Sequence, residues 1–179
     1  MKKIGFIVGS LRKNSYNLKV AKKFIELLPE GYEGEIVEIA DLPFYNVELE
    51  NNLPESWVRF RKQVGDLDGV FFITPEYNRS VPGFLKNAID VGSRPFGKAV
   101  WGGKPTVVVS VSQGAIGGFG ANHHLRQSLV HLDAPVLGQP EAYIGHINKL
   151  IDKDDNVAES LLGFLQSIVD GFVKLAERY

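Results

Sequence analysis

The sequence contains no cysteine. That absence removes disulfides, thiol nucleophiles, thiol redox centres and cysteine-ligated metals together, so any redox chemistry has to be carried by a bound organic cofactor. An excess of either charge is also missing. The 20 Lys and Arg face 21 Asp and Glu, which gives no electrostatic reason to expect nucleic acid or an anionic membrane as partner. No hydrophobic run approaches the length of a membrane span, and Met1-Lys2-Lys3 leads into only a short apolar run, Ile4 to Val8, less than the core of a signal peptide. The expected location is therefore the cytoplasm. No repeat, low-complexity segment or composition shift marks a second domain, and 179 residues are too few for the two domains of a typical dinucleotide dehydrogenase. Two nucleotide signatures are absent as well. Neither Gly5 to Gly9 nor Gly114 to Gly120 has the Gly-x-Gly-x-x-Gly spacing, and no Gly-Lys-Ser/Thr phosphate loop occurs.

What is present alternates strand and helix signals. Strand patterns fall at Lys3–Val8, at Glu35–Ile39 with the polar and apolar alternation of a sheet edge, at the apolar run Val70–Ile73, at Thr106–Val111, and briefly around Val136 and Leu137. Helical spacing falls at Asn17–Leu28, from Trp57 onward, at Phe84–Val91 with Pro82 in the first turn, at Ala121–Leu132 and at Asn156–Ala176. Pro29–Gly34 reads as a turn, and Asp41–Pro54 and Ser93–Gly103 as long loops. Five strands alternating with helices argue for an α/β fold, a doubly wound parallel sheet with helices on both faces. Ligands in such folds sit at the carboxyl ends of the strands, at the switch point in strand order.

Three loops after strands one, three and four carry the informative residues. The first, Gly9 to Asn17, places Ser10, Arg12, Ser15 and Asn17 between a buried strand and a helix start. Unpaired N–H groups and the positive helix end converge there, and the four side chains add donors and a charge that together suit a phosphate monoester. One helix cap needs only one such residue. The second loop, Pro75-Glu76-Tyr77-Asn78, offers an aromatic plane, a rigid proline turn and backbone amides, all suited to the edge of a planar flavin ring. The third, Ser112 to Gly120, has glycines that would let backbone approach the opposite edge of the ring and keep side chains off the space above it.

The same residues resemble the NAD(P)H-dependent FMN reductases, and within them the chromate and quinone reductases and the azobenzene reductases. The resemblance rests on Gly9-Ser10-Leu11-Arg12 with Ser15 and Asn17, and on Pro75-Glu76-Tyr77-Asn78 with Ser80, Pro82, Gly83 and Leu85-Lys86-Asn87-Ala88-Ile89-Asp90. Ser93-Arg94-Pro95, Gly117-Gly118, His124-Leu125-Arg126-Gln127, Leu132-Asp133-Ala134 and Pro140-Glu141 extend it to about Gly145. It implies one flavodoxin-like domain over residues 1–179, strand order 2-1-3-4-5, with non-covalent FMN, NAD(P)H as co-substrate, a small-molecule electron acceptor and a homo-oligomer, dimer or tetramer. It further implies that Ser10, Arg12, Ser15, Tyr16 and Asn17 hold the phosphate and ribityl chain. Pro75, Glu76, Tyr77, Asn78 and Arg79 would frame the isoalloxazine, and Ser112 with Gly114 would close the opposite side. Val91, Arg79 and Gly120 depart from the pattern of these relatives, which carry tryptophan, tyrosine and arginine at the corresponding places.

The chemistry the resemblance implies is ping-pong hydride transfer to quinones, azo compounds, chromate or flavins. It calls for no acid, base or nucleophile from the protein, so no catalytic residue is assigned. His123, His124, His131 and His146 read as solvated or interface side chains, and adjacent His123 and His124 cannot share a helical face to hold a metal. The acidic cluster Asp152 to Asp155 reads as dipole complementation at the start of the last helix. A flavodoxin-type electron carrier is the alternative, but such carriers are strongly acidic and this chain is near neutral. A non-enzymatic interaction module would leave the three polar loops without a purpose.

Overall fold

The computed structural model describes every residue from Met1 to Tyr179. Its centre is set by the two mainly apolar strands, β3 (Gly69–Thr74) and β4 (Thr106–Val111), each buried at all positions, with Thr74, Thr106 and Ser110 their polar members. A strand with no polar alternation can be satisfied only between two covered faces. β1 (Lys2–Val8) is buried from Ile4 onward and lies beside β3, with the more polar β2 (Tyr32–Val37) at one edge and the short β5 (Ala142–Ile144) at the other. All pairings are parallel and the order is β2-β1-β3-β4-β5, as the resemblance implies.

Because strand side chains alternate between faces, each central strand feeds two cores. Ile4, Phe6, Phe71, Ile73 and Val109 point to one face, where α1 (Tyr16–Leu27) packs through Val20, Ala21 and Phe24 and α6 (Glu159–Ala176) through Leu165, Ile168, Val169 and Phe172. Ile7, Val70, Phe72 and Val108 point to the other. There they meet α2 (Glu55–Gly65), α3 (Gly83–Gly92) and α4 (Phe119–His131) through Trp57, Phe60, Leu85, Ile89, Leu125 and Leu129. Phe71 is the hinge of the first core, with its ring 4.9 Å from Phe6, 5.2 Å from Phe24 and 4.8 Å from Phe172. No helix is long and apolar enough to cross a membrane.

The structure departs from the sequence pattern in several places, each for a local reason. β2 begins at Tyr32, inside the expected turn, because Tyr32 and Glu33 pair with Lys2 and Lys3. Gly34 there marks close packing: a Cβ would lie 2.9 Å from Ile25 and from Phe6. The last strand is Ala142–Ile144, whereas Val136 makes only an isolated bridge to Thr106. Buried Asn122 supports this short edge: Nδ2 donates to Ala142 O at 3.1 Å, and Oδ1 accepts from Arg126 Nε at 2.8 Å. The loop after α1 and β2 contains a 3-10 turn at Val47–Asn51. It is tied down by Asn87 of α3, which accepts from Tyr45 N (2.7 Å) and donates to Leu42 O and Pro43 O. Pro82 caps α3 from outside and α4 starts earlier than expected, at Phe119. A short helix, α5 (Ile147–Leu150), has no counterpart in the sequence pattern.

The acidic cluster is also reassigned. α6 begins at Glu159, its sole acidic first-turn residue, so Asp152 to Asp155 do not complement its dipole. Asp152 organises its own loop by accepting from Asp154 N, Asn156 N and Asn156 Nδ2. Hydrogen bonds from the Asn156 side chain and backbone hold its carboxyl below the usual range.

Candidate functional site

β1, β3 and β4 are neighbours, so the loops leaving their carboxyl ends meet. What lets them meet closely is Gly9. Its N–H donates to Ile73 O at 2.7 Å, and a Cβ would fall 2.9 Å from Leu85, 3.0 Å from Thr74 Oγ1 and 3.2 Å from Pro75. Any side chain at that point would push the first loop off the second.

The first loop ends in α1. Ser15, 3% exposed, caps the helix by accepting from Asn17 N at 3.1 Å. The remaining donors are unspent: Ser10, Leu11, Arg12 and Tyr16 have no acceptor in the chain for their backbone N–H groups, and Arg12 is exposed with no ion pair. Asn17 is 5% exposed, yet its buried Oδ1 has no hydrogen-bond partner. A buried polar atom without a partner costs about 1–3 kcal/mol, so a group from outside the chain is called for at this spot.

The second loop is a clamped hairpin. Tyr77 and Ser80 exchange both backbone hydrogen bonds at 2.9 Å around Asn78 (φ 51°) and Arg79 (φ 65°), a tight turn with both central residues left-handed. The Glu76 carboxylate accepts from Ala121 N, at the start of α4, and from Arg79 Nη1, both at 3.1 Å. Ser80 Oγ lies 3.0 Å from His124 Nδ1 on the same helix. Gly120 fits under this clamp, where a Cβ would meet Arg79 O at 2.7 Å. Tyr77 stays 47% exposed, its ring free at the rim.

In the third loop Ser112 N donates to Ile144 O, and Ser112 Oγ accepts from Gly114 N at 3.0 Å. Gly117 and Gly118 do not face open space. Gly117 (φ 65°) is pressed on β5, where a Cβ would lie 2.6 Å from the Tyr143 carbonyl, and at Gly118 (φ 76°) it would lie 2.9 Å from Ser110. They fasten the loop to its neighbours. Close by, Tyr143 Oη and His123 Nε2 are 3.0 Å apart, and burial together with Glu141 pushes the phenol up.

The three loops enclose a cleft of about 260 Å³. Of the residues singled out from sequence, Ser10, Arg12, Ser15, Tyr16, Asn17, Pro75, Glu76, Tyr77 and Ser112 line it. Asn78 and Arg79 form the tip of the hairpin, and Gly114 lies beyond Ser112, so none of these three lines the cleft. Val111, Gln113 and Ile147 complete the lining. Val111 read only as strand, and Ile147 stands in a four-residue helix too short to show a period. Gln113, adjacent to Ser112, could have been found by the same loop reasoning. No group of three His, Asp or Glu side chains is arranged to hold a metal.

The lining is polar with free donors at the β1 loop and carries proline and an aromatic ring at the β3 loop. That division fits FMN: an anionic phosphate and a polyol at one end, a flat ring at the other.

Comparison with known proteins agrees. The family model described as NADPH-dependent FMN reductase matches residues 2–149. A quinone reductase of Pseudomonas putida is 57% identical over 170 residues, covering 94% of this chain and 91% of its own. A 2-hydroxy-1,4-benzoquinone reductase of a Burkholderia species is 43% identical, covering 95% and 93%. Among solved structures, the flavoenzyme NAD(P)H:(acceptor) oxidoreductase FerB of Paracoccus denitrificans superposes with a TM-score of 0.93 at 41% identity, covering 99% of this chain and 98% of that one. On these matches, the chain belongs to the NADPH-dependent FMN reductase family.

Proposed function

We propose that this protein is an FMN-containing NAD(P)H oxidoreductase that passes electrons to quinones by a ping-pong mechanism, with azo compounds, chromate and free flavins as further acceptors. The observation that carries this is the cleft at the ends of β1, β3 and β4, with its unpaired donors at one end and Tyr77 at the other. Bound FMN supplies the hydride chemistry there. The chain's part is to hold and expose it. Arg12, the Ser10 hydroxyl and the free N–H groups before α1 take the phosphate; Asn17 and Tyr16 take ribityl hydroxyls, Asn17 Oδ1 accepting from one of them. Pro75 to Tyr77 and Ser112 border the ring, Asn78 and Arg79 act by shaping the hairpin, and Gly114 by its N–H on Ser112. The names of the relatives from Pseudomonas putida and Burkholderia support quinones as acceptors.

We further propose a homo-oligomer, dimer or tetramer. Arg79 at the hairpin tip and Glu141 are both exposed, positioned to meet a second copy.

One cleft has to serve nicotinamide and acceptor in turn, so steady-state rates with a quinone are expected to give parallel reciprocal plots. The test is anaerobic: NADPH mixed with the FMN-loaded protein should bleach the flavin within the turnover time, and added quinone should restore the colour. Absence of bleaching would leave a carrier that binds FMN without using NAD(P)H, and intersecting plots would contradict a shared cleft.

A further inference from the structure

A second hollow, of about 190 Å³, adjoins the cleft and shares Ser15 with it as a common wall. It lies between the start of α1 and the loop joining α5 to α6. Leu18, buried Ile151 and half-buried Val157 give it an apolar floor, and its rim carries Lys13, Lys19, Lys22 and Lys23. Two carboxylates oppose the four lysines, and both are already engaged: Asp155 with Lys19, and Glu26 with Lys23. Lys13 and Lys22 have no acidic partner, so the rim keeps a net positive charge over an apolar base. An anionic group attached to a flat, weakly polar body satisfies that combination. A free anion would not use the floor, and an apolar ligand would not use the lysines.

Position narrows the ligand further. If the loop from Ser10 to Asn17 holds a flavin phosphate, as proposed above, that phosphate and the lysine rim lie on the two sides of Ser15, which lines both hollows. A second phosphate joined to the first would pass over Ser15 to meet the lysines. We infer that the hollow takes the second phosphate and the nucleoside of a flavin dinucleotide, so that the protein accepts FAD as well as FMN in the same cleft. Lys13 and Lys22 hold the added phosphate, and Leu18, Ile151 and Val157 support the purine.

Competition on the intact protein tests this without any reading of activity. FAD is titrated into FMN-loaded protein, and released FMN is followed by its fluorescence. With the dinucleotide seated, half-displacement comes at an FAD concentration within about threefold of the FMN present. Lys22→Glu, at an exposed helical position, raises the FAD needed by roughly tenfold at low salt, and Lys13→Glu acts in the same direction. Calorimetric FMN affinity stays within about threefold in Lys22→Glu, since that side chain lies outside the cleft. FAD that competes about tenfold or more weakly than FMN, or competes equally in wild type and Lys22→Glu, overturns the assignment while leaving FMN binding intact. ADP that binds FMN-loaded protein as tightly as FAD does would give the hollow to a free nucleotide and overturn it too. Failure of the wild type to bind FMN at all would remove the cofactor placement and this inference together.

Discussion

Arg12→Ala is expected to weaken FMN binding by roughly 1.5–3 kcal/mol, about ten- to hundredfold in Kd, the scale of a hydrogen bond to a charged group. The clarity of this variant comes from what Arg12 does not do. Its side chain is exposed and makes no hydrogen bond or ion pair within the chain, so its removal leaves the fold untouched and the loss reads as binding alone. Arg12→Lys should recover only part of the affinity, because an ammonium keeps the charge but not the planar fork that meets two phosphate oxygens at once. Isothermal titration with FMN measures both. Unchanged affinity in Arg12→Ala would mean that the phosphate is held by backbone N–H groups and hydroxyls without a charged partner.

The second large effect is structural and sits in the third loop. Gly117→Val is expected to destabilise the protein by several kcal/mol, since it adds two costs. A β-branched residue held at φ 65° costs about 1–3 kcal/mol, and forcing a side chain into packed space costs about as much again. The Cβ would lie 2.6 Å from the Tyr143 carbonyl carbon and oxygen, backbone that cannot swing aside. Gly114→Ala is the control: its nearest neighbour is Ser112 Oγ at 3.5 Å, so the added methyl is in ordinary contact. Urea unfolding of the two variants should separate them widely. Equal stability would show that the loop is not fastened on β5 as described.

That contrast also marks where the sequence was legible and where it was not. The central strands announced themselves because Val70–Ile73 is apolar on both faces and Thr106–Val111 nearly so, while the strand order, and with it the meeting of three loops, came from the family resemblance. In the loop before α1, Ser10, Arg12, Ser15 and Asn17 read as too many donors for one cap, and the structure brings them to one cleft with Asn17 Oδ1 unpartnered. The glycines of the third loop were not legible. From sequence they read as open space over a ring, yet Gly117 and Gly118 are buried against Tyr143 and Ser110, a contact between distant segments that no local pattern carries. Gly34 misled in the same way, looking like a turn while serving as a place for Phe6 and Ile25 to pack. Asn78 and Arg79 form the left-handed corner of the second hairpin and are not part of the cleft's lining, which loop residues alone do not show. β5 escaped because three residues held by Asn122 from another element have no period of their own.

The central claim is that the loop before α1 is built for a flavin's phosphate. Titrating the protein with FMN and with riboflavin tests it most directly, because the two ligands differ in that phosphate alone. FMN is predicted to bind at least about a hundredfold more tightly, in line with two or more charge-assisted hydrogen bonds. Equal affinity for FMN and riboflavin would contradict the account.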